Sequence, residues 1–355
     1  MLLSSNPARI KWRPVFCGIL LQVILALLVL KWNTGRTSVH WLTNNVSLPM
    51  IIFFGSICSL LYYYGIIQWI LIRLAILLQY TMGTTAGESL NSMASVFLGP
   101  TEAAILCQSA LRTMTESEVF TMMTAGFSNV MSAPALITVS KLMTPEIQHS
   151  KQKDMKTFRF PQCTETSALE SISNGAIQTV RIIFSIIANL IVYVAFVTFI
   201  DTSIHWLGEC VGWDISFDKL MSWAFYPVAY ILGVTENHDQ TMKLAQLIGL
   251  KTVLNEFIAY QKMQDMLLNG ELEGRTQMIA IFACCGYSNF SQIGQELGIF
   301  IGLCPKRTKS FVSMAVRTLI AGAISCFMTA CVAGAIVSDA TGCLPAKNIE
   351  NCLNV

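Results

Sequence analysis

Two carboxylates lie within apolar stretches of the sequence, where packing alone does not explain an ionised side chain. Glu102 follows Gly99 and Pro100 in VFLGPTEAAIL, and Glu256 lies in TVLNEFIAY. A charge at bilayer depth is costly, so a function or a partner must offset it. If Gly99-Pro100 breaks a helix, the freed backbone groups and the Glu102 carboxylate can line a water-containing cavity. Alternatively, each carboxylate lies at a helix end and is solvated among the headgroups.

A second polar stretch, GYSNFSQI, interrupts the apolar run from Met278 to Leu303. Behind its glycine it holds four polar residues: Ser288, Asn289, Ser291 and Gln292. Four such residues favour a locally unwound helix that offers amides and hydroxyls to a ligand, with polar contacts between helices as the alternative. Tyr287 adds an aromatic face. Carboxylates, amides and a ring suit a small, neutral, polyhydroxylated solute, and a sugar, a nucleoside or a polar amino acid all fit this description.

The composition places the chain in a lipid bilayer. Of its 355 residues, 54% are hydrophobic and 12% are charged, whereas soluble domains carry about 25% charged residues. The net charge of +2 gives no basic surface for a phosphate backbone, so no nucleic acid is expected as a partner. The 4 histidines show no metal-ligand spacing, and no nucleophile elbow or phosphate loop is present. Neither an enzyme nor a cofactor is therefore expected.

Most of the 12 cysteines lie in apolar runs, where they behave as small hydrophobic residues. Cys343 and Cys352 differ because they lie in a polar tail after the last apolar run. They could form a disulfide if that tail faces an oxidising compartment.

The elements that must position the polar residues are membrane helices, which need about 20 apolar residues to cross. Uninterrupted candidates are Pro14 to Leu30, Leu48 to Tyr64, Ala176 to Ile200 and Phe311 to Val337. Interrupted candidates are the stretches around Thr101, from Ala245 to Ala259, and from Met278 to Leu303. Aromatics and Arg73 within Tyr62 to Leu78 favour an amphipathic helix at the inner interface. Asp201 to Lys219 is expected to be a polar connector.

Basic residues predict which segments face the cytosol. They lie at the N-terminus, with Arg13, in the linker from Thr144 to Glu170, and in the turn containing Lys306 and Arg307. Two interrupted apolar regions in corresponding halves are typical of transporters built from inverted repeats.

The fold class predicted is therefore an all-α polytopic membrane protein. Residues 1–80 are expected to form a scaffold of N-terminal helices and an interfacial helix, and residues 81–170 contain the first interruption and a cytosolic linker. Residues 171–235 are expected to form a central scaffold helix with an interfacial connector. Residues 236–340 contain the second interruption, an unwound helix and the last crossing, and residues 341–355 form an extracellular tail.

The sequence is similar to the concentrative nucleoside transporter family, from IKWRP at 10–14 to about Val337. The similarity rests on long, ordered motifs: LYYYGIIQW, GPTEAA, VMSAPA, SNGA, LNEFIAY and CGYSNFSQIG. It implies inverted repeats with two re-entrant helical hairpins that enter from opposite sides, unwound transmembrane helices beside them, and a homotrimer with one pathway per subunit.

The resemblance also implies residue roles. At the first hairpin tip, Gly99 to Glu102, the side chains of Thr101 and Glu102 would contact the base. Glu256 of the second hairpin and Asn289 of the unwound helix would bind ribose hydroxyls. Tyr287 occupies the position where the family usually has a pocket phenylalanine.

Several positions depart from the family pattern. Pro100 replaces a glutamine that helps to recognise the base, which favours purines over pyrimidines. Gln292 replaces a second pocket serine, so its longer side chain either bonds ribose or obstructs it. Ser95 replaces an asparagine associated with a sodium site, for which Ser95 and Leu98 are the corresponding candidates.

The largest departure is a shortening after Phe127, where the family has further residues that help to bind sodium. As a result, Val119 to Leu142 is long enough for one crossing but not for two. One crossing would move the basic linker outside, against the charge rule. Alternatively, the segment enters and returns, bending near Ser128-Asn129 or Pro134. We favour the return because Lys306 and Arg307 require the same side.

The sequence predicts secondary active transport of nucleosides across the plasma membrane by a multi-pass protein, coupled to a sodium or proton gradient. The alternative is a non-transporting or uncoupled paralogue or isoform that assembles with full-length relatives.

Overall fold

The computed structural model describes residues 4–6, 11–30, 48–98, 100–128, 130–151, 165–213, 216–233 and 237–336. This part of the chain contains helices, turns and connecting segments and no β-strand. In chain order the α-helices are α1 (Trp12–Leu30), α2 (Leu48–Tyr63), α3 (Ile66–Met82), α4 (Ala86–Phe97), α5 (Pro100–Leu106), α6 (Gln108–Leu111), α7 (Glu116–Phe127), α8 (Ala133–Met143), α9 (Ala168–Val211), α10 (Phe217–Ile231), α11 (His238–Val253), α12 (Glu256–Leu268), α13 (Gly274–Cys284), α14 (Phe290–Leu303) and α15 (Thr308–Ile336). The 3₁₀ turns Val130–Ser132 and Pro305–Arg307 precede α8 and α15.

The predicted uninterrupted spans correspond to α1, α2, α9 and α15, but α9 is longer than expected, at 44 residues. The predicted connector from Asp201 to Lys219 is wrong over its first half, because the helix continues to Val211 and ends at Gly212 with a φ of 75°. Asp201 does not break α9. Its Oδ1 instead accepts a hydrogen bond from the Phe217 amide at 2.8 Å, which anchors the start of α10. The proposed bridge between Cys343 and Cys352 lies outside the described residues.

A sharp bend of 82° separates α2 from α3. The bend occurs at Gly65, whose φ of 77° falls in the left-handed region that glycine adopts at least cost. By length and apolar composition alone, only the run Pro305–Ile336 among the described helices could cross a membrane by itself, and this bent pair is a second candidate. Apart from α9, with its 44 residues, most of the other described helices are short or interrupted, as helices at membrane depth can be where other parts of the protein enclose them.

The first predicted hairpin consists of α4 and α5, which run antiparallel. Cys107, at the end of α5, places its Sγ 3.8 Å from the carbonyl oxygen of Gly87 at the start of α4. The second hairpin consists of α11 and α12. Near the start of α11, Gln240 donates to the Glu271 carbonyl at 2.9 Å and accepts from the Glu273 amide at 3.1 Å, just beyond the end of α12.

The segment from α7 to α8 enters the bundle and returns, so the predicted return is confirmed. Ser117 near the start of α7 donates to the carbonyl of Thr144, just after α8, at 2.7 Å. Thr115 likewise donates to Glu146 at 2.8 Å. With 12 and 11 residues, the two helices are about 16–18 Å long, roughly half of a hydrocarbon core. We call this segment the α7–α8 hairpin.

The tip of the α7–α8 hairpin packs tightly against the middle of α15. A Cβ placed on Gly322 would overlap the Cβ of Phe127 and would lie 3.0 Å from its carbonyl carbon. Two turns further along α15, the hydroxyls of Ser132 and Thr329 are 2.6 Å apart, and Gln22 of α1 donates to the Thr329 hydroxyl at 3.0 Å. The turn therefore lies inside the protein rather than at a surface.

This contact makes a prediction about stability. We expect Gly322→Ala to destabilise the folded protein by about 1–3 kcal/mol, because the added methyl group must displace Phe127. The loss is measured as a lower midpoint of thermal unfolding in detergent. Gly298→Ala is the control, because no atom lies within 4 Å of a Cβ at that helical position. Equal midpoints for the two variants would contradict the tight contact.

Two of the predicted cytosolic basic residues, Arg13 and Arg307, lie at one end of the bundle, which we call the basic face. Arg13 donates to the carbonyl of Thr81 at 3.3 Å, at the end of α3. Arg307 donates to Glu116, at the start of α7, at 2.6 Å. The first hairpin starts from this face because α4 begins directly after α3. At the other end of the bundle, Ile279 of α13 packs against Gly334 near the end of α15. The second hairpin leads directly into α13, so the two hairpins enter from opposite ends.

Candidate functional site

Glu256 is the first residue of α12 and lies at the tip of the second hairpin. The preceding residue, Asn255, has extended backbone and caps the helix by accepting a hydrogen bond from the Ile258 amide at 3.0 Å. The unpaired N–H groups at a helix N-terminus favour a carboxylate there. The helix end therefore offsets part of the cost of placing Glu256 inside the protein.

Asn289 performs the same capping for the broken helix. Residues 285–289 between α13 and α14 are not helical, and the Asn289 Oδ1 accepts from the Gln292 amide at 2.8 Å. The Nδ2 of Asn289 donates to the Glu256 Oε2 at 3.0 Å. A Cβ on Gly286 would overlap the Cys326 sulfur, so the break can approach α15 only with glycine at this position. The structure thus brings together Glu256 and Asn289, which the sequence had singled out separately.

The first hairpin tip borders the same broken helix. Pro100 begins α5, with Thr101 and Glu102 in its first turn, and the extended Leu98 precedes the tip. Gly99 lies outside the described residues. The next two residues of α5, Ala103 and Ala104, are buried in an apolar cluster against which Leu98, Ile293 and Leu297 pack, the last two from α14. Hairpin tips from opposite ends therefore both adjoin the start of α14.

The other predicted site residues have different surroundings. Tyr287 lies in the break and is 39% exposed, which leaves its ring accessible. The side chain of Gln292 is buried, and its Nε2 donates to Glu296 at 3.3 Å. The Ser95 hydroxyl donates within its own helix, to the carbonyl of Ser92 at 3.0 Å.

Sequence reasoning missed a buried lysine at this site. Lys251 near the end of α11 is fully buried and donates to the hydroxyl of Ser288 in the break. Its ammonium nitrogen lies 5.9 Å from the centre of the Phe327 ring, and its charge attracts the Glu256 carboxylate. The criterion that identified Glu102 and Glu256, a charge within an apolar stretch, also applies to Lys251 in LIGLKTVL.

A second buried charge cluster, also missed, lies toward the basic face. Lys141 of α8 pairs with Glu88 of α4, and its Nζ lies 3.6 Å from Glu146. It also donates to the Ser117 hydroxyl at 2.9 Å. All three charged side chains are largely buried. The cluster joins the first hairpin to both helices of the α7–α8 hairpin.

Two hairpins that enter from opposite ends and a helix that is unwound between them define a class of protein. In secondary transporters, interrupted helices near the midplane supply polar groups to the solute, and their helix ends supply charge complementarity. The carboxylate of Glu256 accepts hydrogen bonds and the amide of Asn289 both donates and accepts them. This pair suits a solute that carries neighbouring hydroxyl groups.

The sequence matches two family models, "Na+ dependent nucleoside transporter N-terminus" over residues 1–52 and "Na+ dependent nucleoside transporter C-terminus" over residues 124–334. The chain belongs to this family of sodium-dependent nucleoside transporters. Membership of a transporter family confirms that the chain is not an enzyme, and it confirms a multi-pass membrane protein.

Curated relatives are longer than this chain. "Solute carrier family 28 member 3" of Eptatretus stoutii is 32% identical over 399 residues, which cover 94% of this chain and 58% of the relative. "Sodium/nucleoside cotransporter 2" of Rattus norvegicus is 32% identical over 395 residues, which cover 93% and 60%. The chain thus spans about three fifths of the length of these relatives. Because both alignments are longer than the 355-residue chain, the relatives also carry residues within the matched region that this chain lacks.

Solved structures confirm the all-α polytopic fold. The structure of CNTnw in an inward-facing substrate-bound state matches with a TM-score of 0.84 and 28% identity, covering 94% of this chain and 93% of that chain. A structure of a CNTnw variant in the intermediate 1 state matches with a TM-score of 0.85 and 27% identity. The similarity extends over 94% of this chain.

Proposed function

We propose that this protein imports nucleosides across the plasma membrane, driven by a sodium gradient. The observation that carries the proposal is the hydrogen bond of 3.0 Å between Glu256 and Asn289, where the second hairpin tip meets the broken helix. The family and the names of the relatives support nucleosides as the solute class and sodium as the co-transported ion. The alternative of a non-transporting or uncoupled isoform is not supported by the comparisons.

In this proposal Glu256 and Asn289 bind the two ribose hydroxyls. A carboxylate accepts from hydroxyl groups, and hydrogen bonds to charged groups are stronger than those between neutral groups. The first hairpin tip, with Gly99, Pro100, Thr101 and Glu102, faces the base. Tyr287 contributes its exposed ring to the pocket wall. Gln292 contributes through its backbone, because its amide N–H orders Asn289.

Pro100 is the basis for a proposed preference for purines. A proline ring has no amide donor or acceptor in its side chain, so it selects by shape rather than by hydrogen bonds to the base. Ser95 and Leu98 are the proposed sodium-binding positions. Oxygen ligands suit a hard cation such as sodium. To bind sodium, the Ser95 hydroxyl would have to turn away from the Ser92 carbonyl, to which it donates a hydrogen bond.

We also propose that the chain assembles as a homotrimer. Helix α9 packs against α2, where the hydroxyls of Ser59 and Ser171 are 3.1 Å apart. Elsewhere it exposes large apolar side chains, including Phe184, Ile191, Val192, Phe196 and Phe199. Such a face contacts lipid or another subunit. In this arrangement residues 1–80 and 171–235 form the fixed scaffold, and residues 81–170 and 236–340 carry the solute.

The test is uptake of radiolabelled adenosine and uridine by vesicles that contain the purified protein. We expect uptake of both nucleosides under an inward sodium gradient, with adenosine preferred. When choline replaces sodium on both sides, uptake should fall to that of protein-free vesicles, whereas continued equilibration would indicate an uncoupled facilitator. Under the sodium gradient, uptake no greater than that of protein-free vesicles would reject the proposal.

A further inference from the structure

Glu296 is a buried carboxylate that the proposed binding site does not use. It lies in the middle of α14, two turns beyond Asn289, and is 1% exposed. It faces the α7–α8 hairpin, where a Cβ placed on Gly126 would lie 2.6 Å from the Glu296 Oε2. Any larger residue at position 126 would force the carboxylate to move. The carboxylate is therefore in direct contact with backbone near the tip of the hairpin and is shielded from water.

The only hydrogen bond that the described residues supply to the Glu296 side chain comes from a neutral group. The Nε2 of Gln292, one turn earlier on α14, donates to the Glu296 Oε1 at 3.3 Å. This distance is at the long end of the range for N–H···O hydrogen bonds.

No described cationic side chain on the elements packed against α14 forms an ion pair with Glu296. On α11, Lys251 donates to Ser288. On α15, Arg317 lies over the ring of Phe120, 5.5 Å from its centre. Arg307 in the preceding 3₁₀ turn pairs with Glu116 of α7.

The acidic side chains that the structure describes on α7 have partners other than Glu296. Glu118 on α7 accepts from the amide of Thr115 at 2.7 Å, at the start of that helix. Glu102 on α5 lies at the first hairpin tip, and its side chain is outside the described part of the chain. Among the described side chains, none of opposite charge pairs with Glu296.

A buried carboxylate without a cationic partner is costly in its charged form, because burial removes water and a single neutral donor replaces little of that solvation. A bound proton removes the charge and the cost. We propose that Glu296 is a proton-binding site, and that its protonation is coupled to nucleoside binding. This inference rests on the proposed function, because the second half of it requires a nucleoside site at Glu256 and Asn289.

The coupling follows a continuous set of hydrogen bonds. Glu296 accepts a hydrogen bond from the side chain of Gln292, and the backbone N–H of Gln292 donates to the Oδ1 of Asn289. The Nδ2 of Asn289 in turn donates to Glu256. Loss of the proton leaves a negative charge on Glu296, which strengthens the hydrogen bond from the Gln292 side chain. The change therefore acts on the residue whose backbone N–H holds Asn289 in the first turn of α14. By linkage, protonation changes nucleoside affinity by the same factor by which nucleoside changes proton affinity.

The experiment compares the full chain with Glu296→Gln, which keeps the shape of the side chain but cannot take up the proton. Glu296→Met is a second variant in case a buried amide perturbs folding. Glu209→Gln is the control, since its side chain is 66% exposed. At equal sodium on both sides, adenosine accumulation is measured against an inward proton gradient. With one proton per nucleoside, each unit of pH difference is worth about tenfold in accumulation.

We expect the unmodified chain and Glu209→Gln to accumulate adenosine under the proton gradient. Both Glu296 variants should lose the accumulation and retain exchange of labelled for unlabelled adenosine. A readout independent of transport is the infrared band of a protonated carboxyl group in the purified protein, which should disappear in both variants.

Persistence of that band in Glu296→Gln, or its absence from the unmodified chain, would overturn the assignment of a proton site. Equal proton-driven accumulation with and without the Glu296 carboxylate would overturn the coupling. If the band is lost in the variants but the unmodified chain neither binds nor moves adenosine, the proton site stands and the proposed nucleoside function fails. If the variants lose a response to sodium rather than to protons, the bound cation is sodium and the proposal is wrong.

Discussion

Replacing Glu256 with glutamine is expected to reduce nucleoside uptake at low concentrations by roughly 10- to 100-fold. The change preserves the length of the side chain and an oxygen that can accept a hydrogen bond from the Nδ2 of Asn289. In the unmodified chain this bond is 3.0 Å long, so the hairpin tip should remain in place in the variant. It removes the negative charge that receives the ribose hydroxyls. Loss of a hydrogen bond to a charged group costs about 1.5–3 kcal/mol, which corresponds to roughly 10- to 100-fold in affinity.

The measurement is the initial rate of adenosine uptake at several concentrations, together with equilibrium binding to the purified protein. Asp265→Asn is the matched control, because it makes the same chemical change on an exposed residue of the same helix. We expect the control to transport normally. Normal uptake by Glu256→Gln would remove this carboxylate from the binding site and would leave Asn289 without its proposed role.

Replacing Lys141 with methionine is expected to give the largest loss of stability. Lys141 is the shared cationic partner of Glu88 and Glu146, whose side chains are 0% and 9% exposed. Removing one partner of a buried ion pair typically costs about 3–5 kcal/mol, because an uncompensated charge remains. The effect should be strong because the cluster joins the first hairpin to the α7–α8 hairpin.

Thermal unfolding in detergent, followed by the amount of monodisperse protein that remains, measures this loss. Lys262→Met is the control. Its ammonium lies 3.1 Å from Asp218, and the two side chains are 40% and 37% exposed. A pair this accessible to solvent contributes about 0–1 kcal/mol. Similar unfolding midpoints for the two variants would mean that the buried cluster adds no more to stability than a surface pair.

Much of the fold follows from local features of the sequence. Uninterrupted apolar runs identified α1, α2 and α15 within a few residues, and the polar interruptions at Asn255 and Asn289 are where helices begin anew. The connector predicted after Asp201 is wrong because a polar residue does not by itself end a helix. Whether such a residue ends a helix depends on its tertiary partner, which is the Phe217 amide in this protein.

The contacts within the candidate site could be predicted from the sequence only in part. Glu256 and Asn289 are close because two separate helix tips meet, and no local pattern predicts a contact across 33 residues. The similarity to a family supplied this pairing. Lys251 meets the criterion that identified Glu256, a charge within an apolar stretch, but the sequence does not show which neighbours bury Lys251 or Glu296. Burial of Glu296 depends on Gly126, a residue from a distant part of the chain.

The α7–α8 hairpin has a consequence for how this chain can vary in length. Because α7 begins and α8 ends at the same end of the bundle, the segment does not cross the bilayer. Insertions or deletions at its turn therefore leave the number of membrane crossings unchanged, and the helices that follow keep their orientation. Loss of α15, the one described helix long and apolar enough to cross a membrane by itself, would instead move the end of the chain to the opposite side.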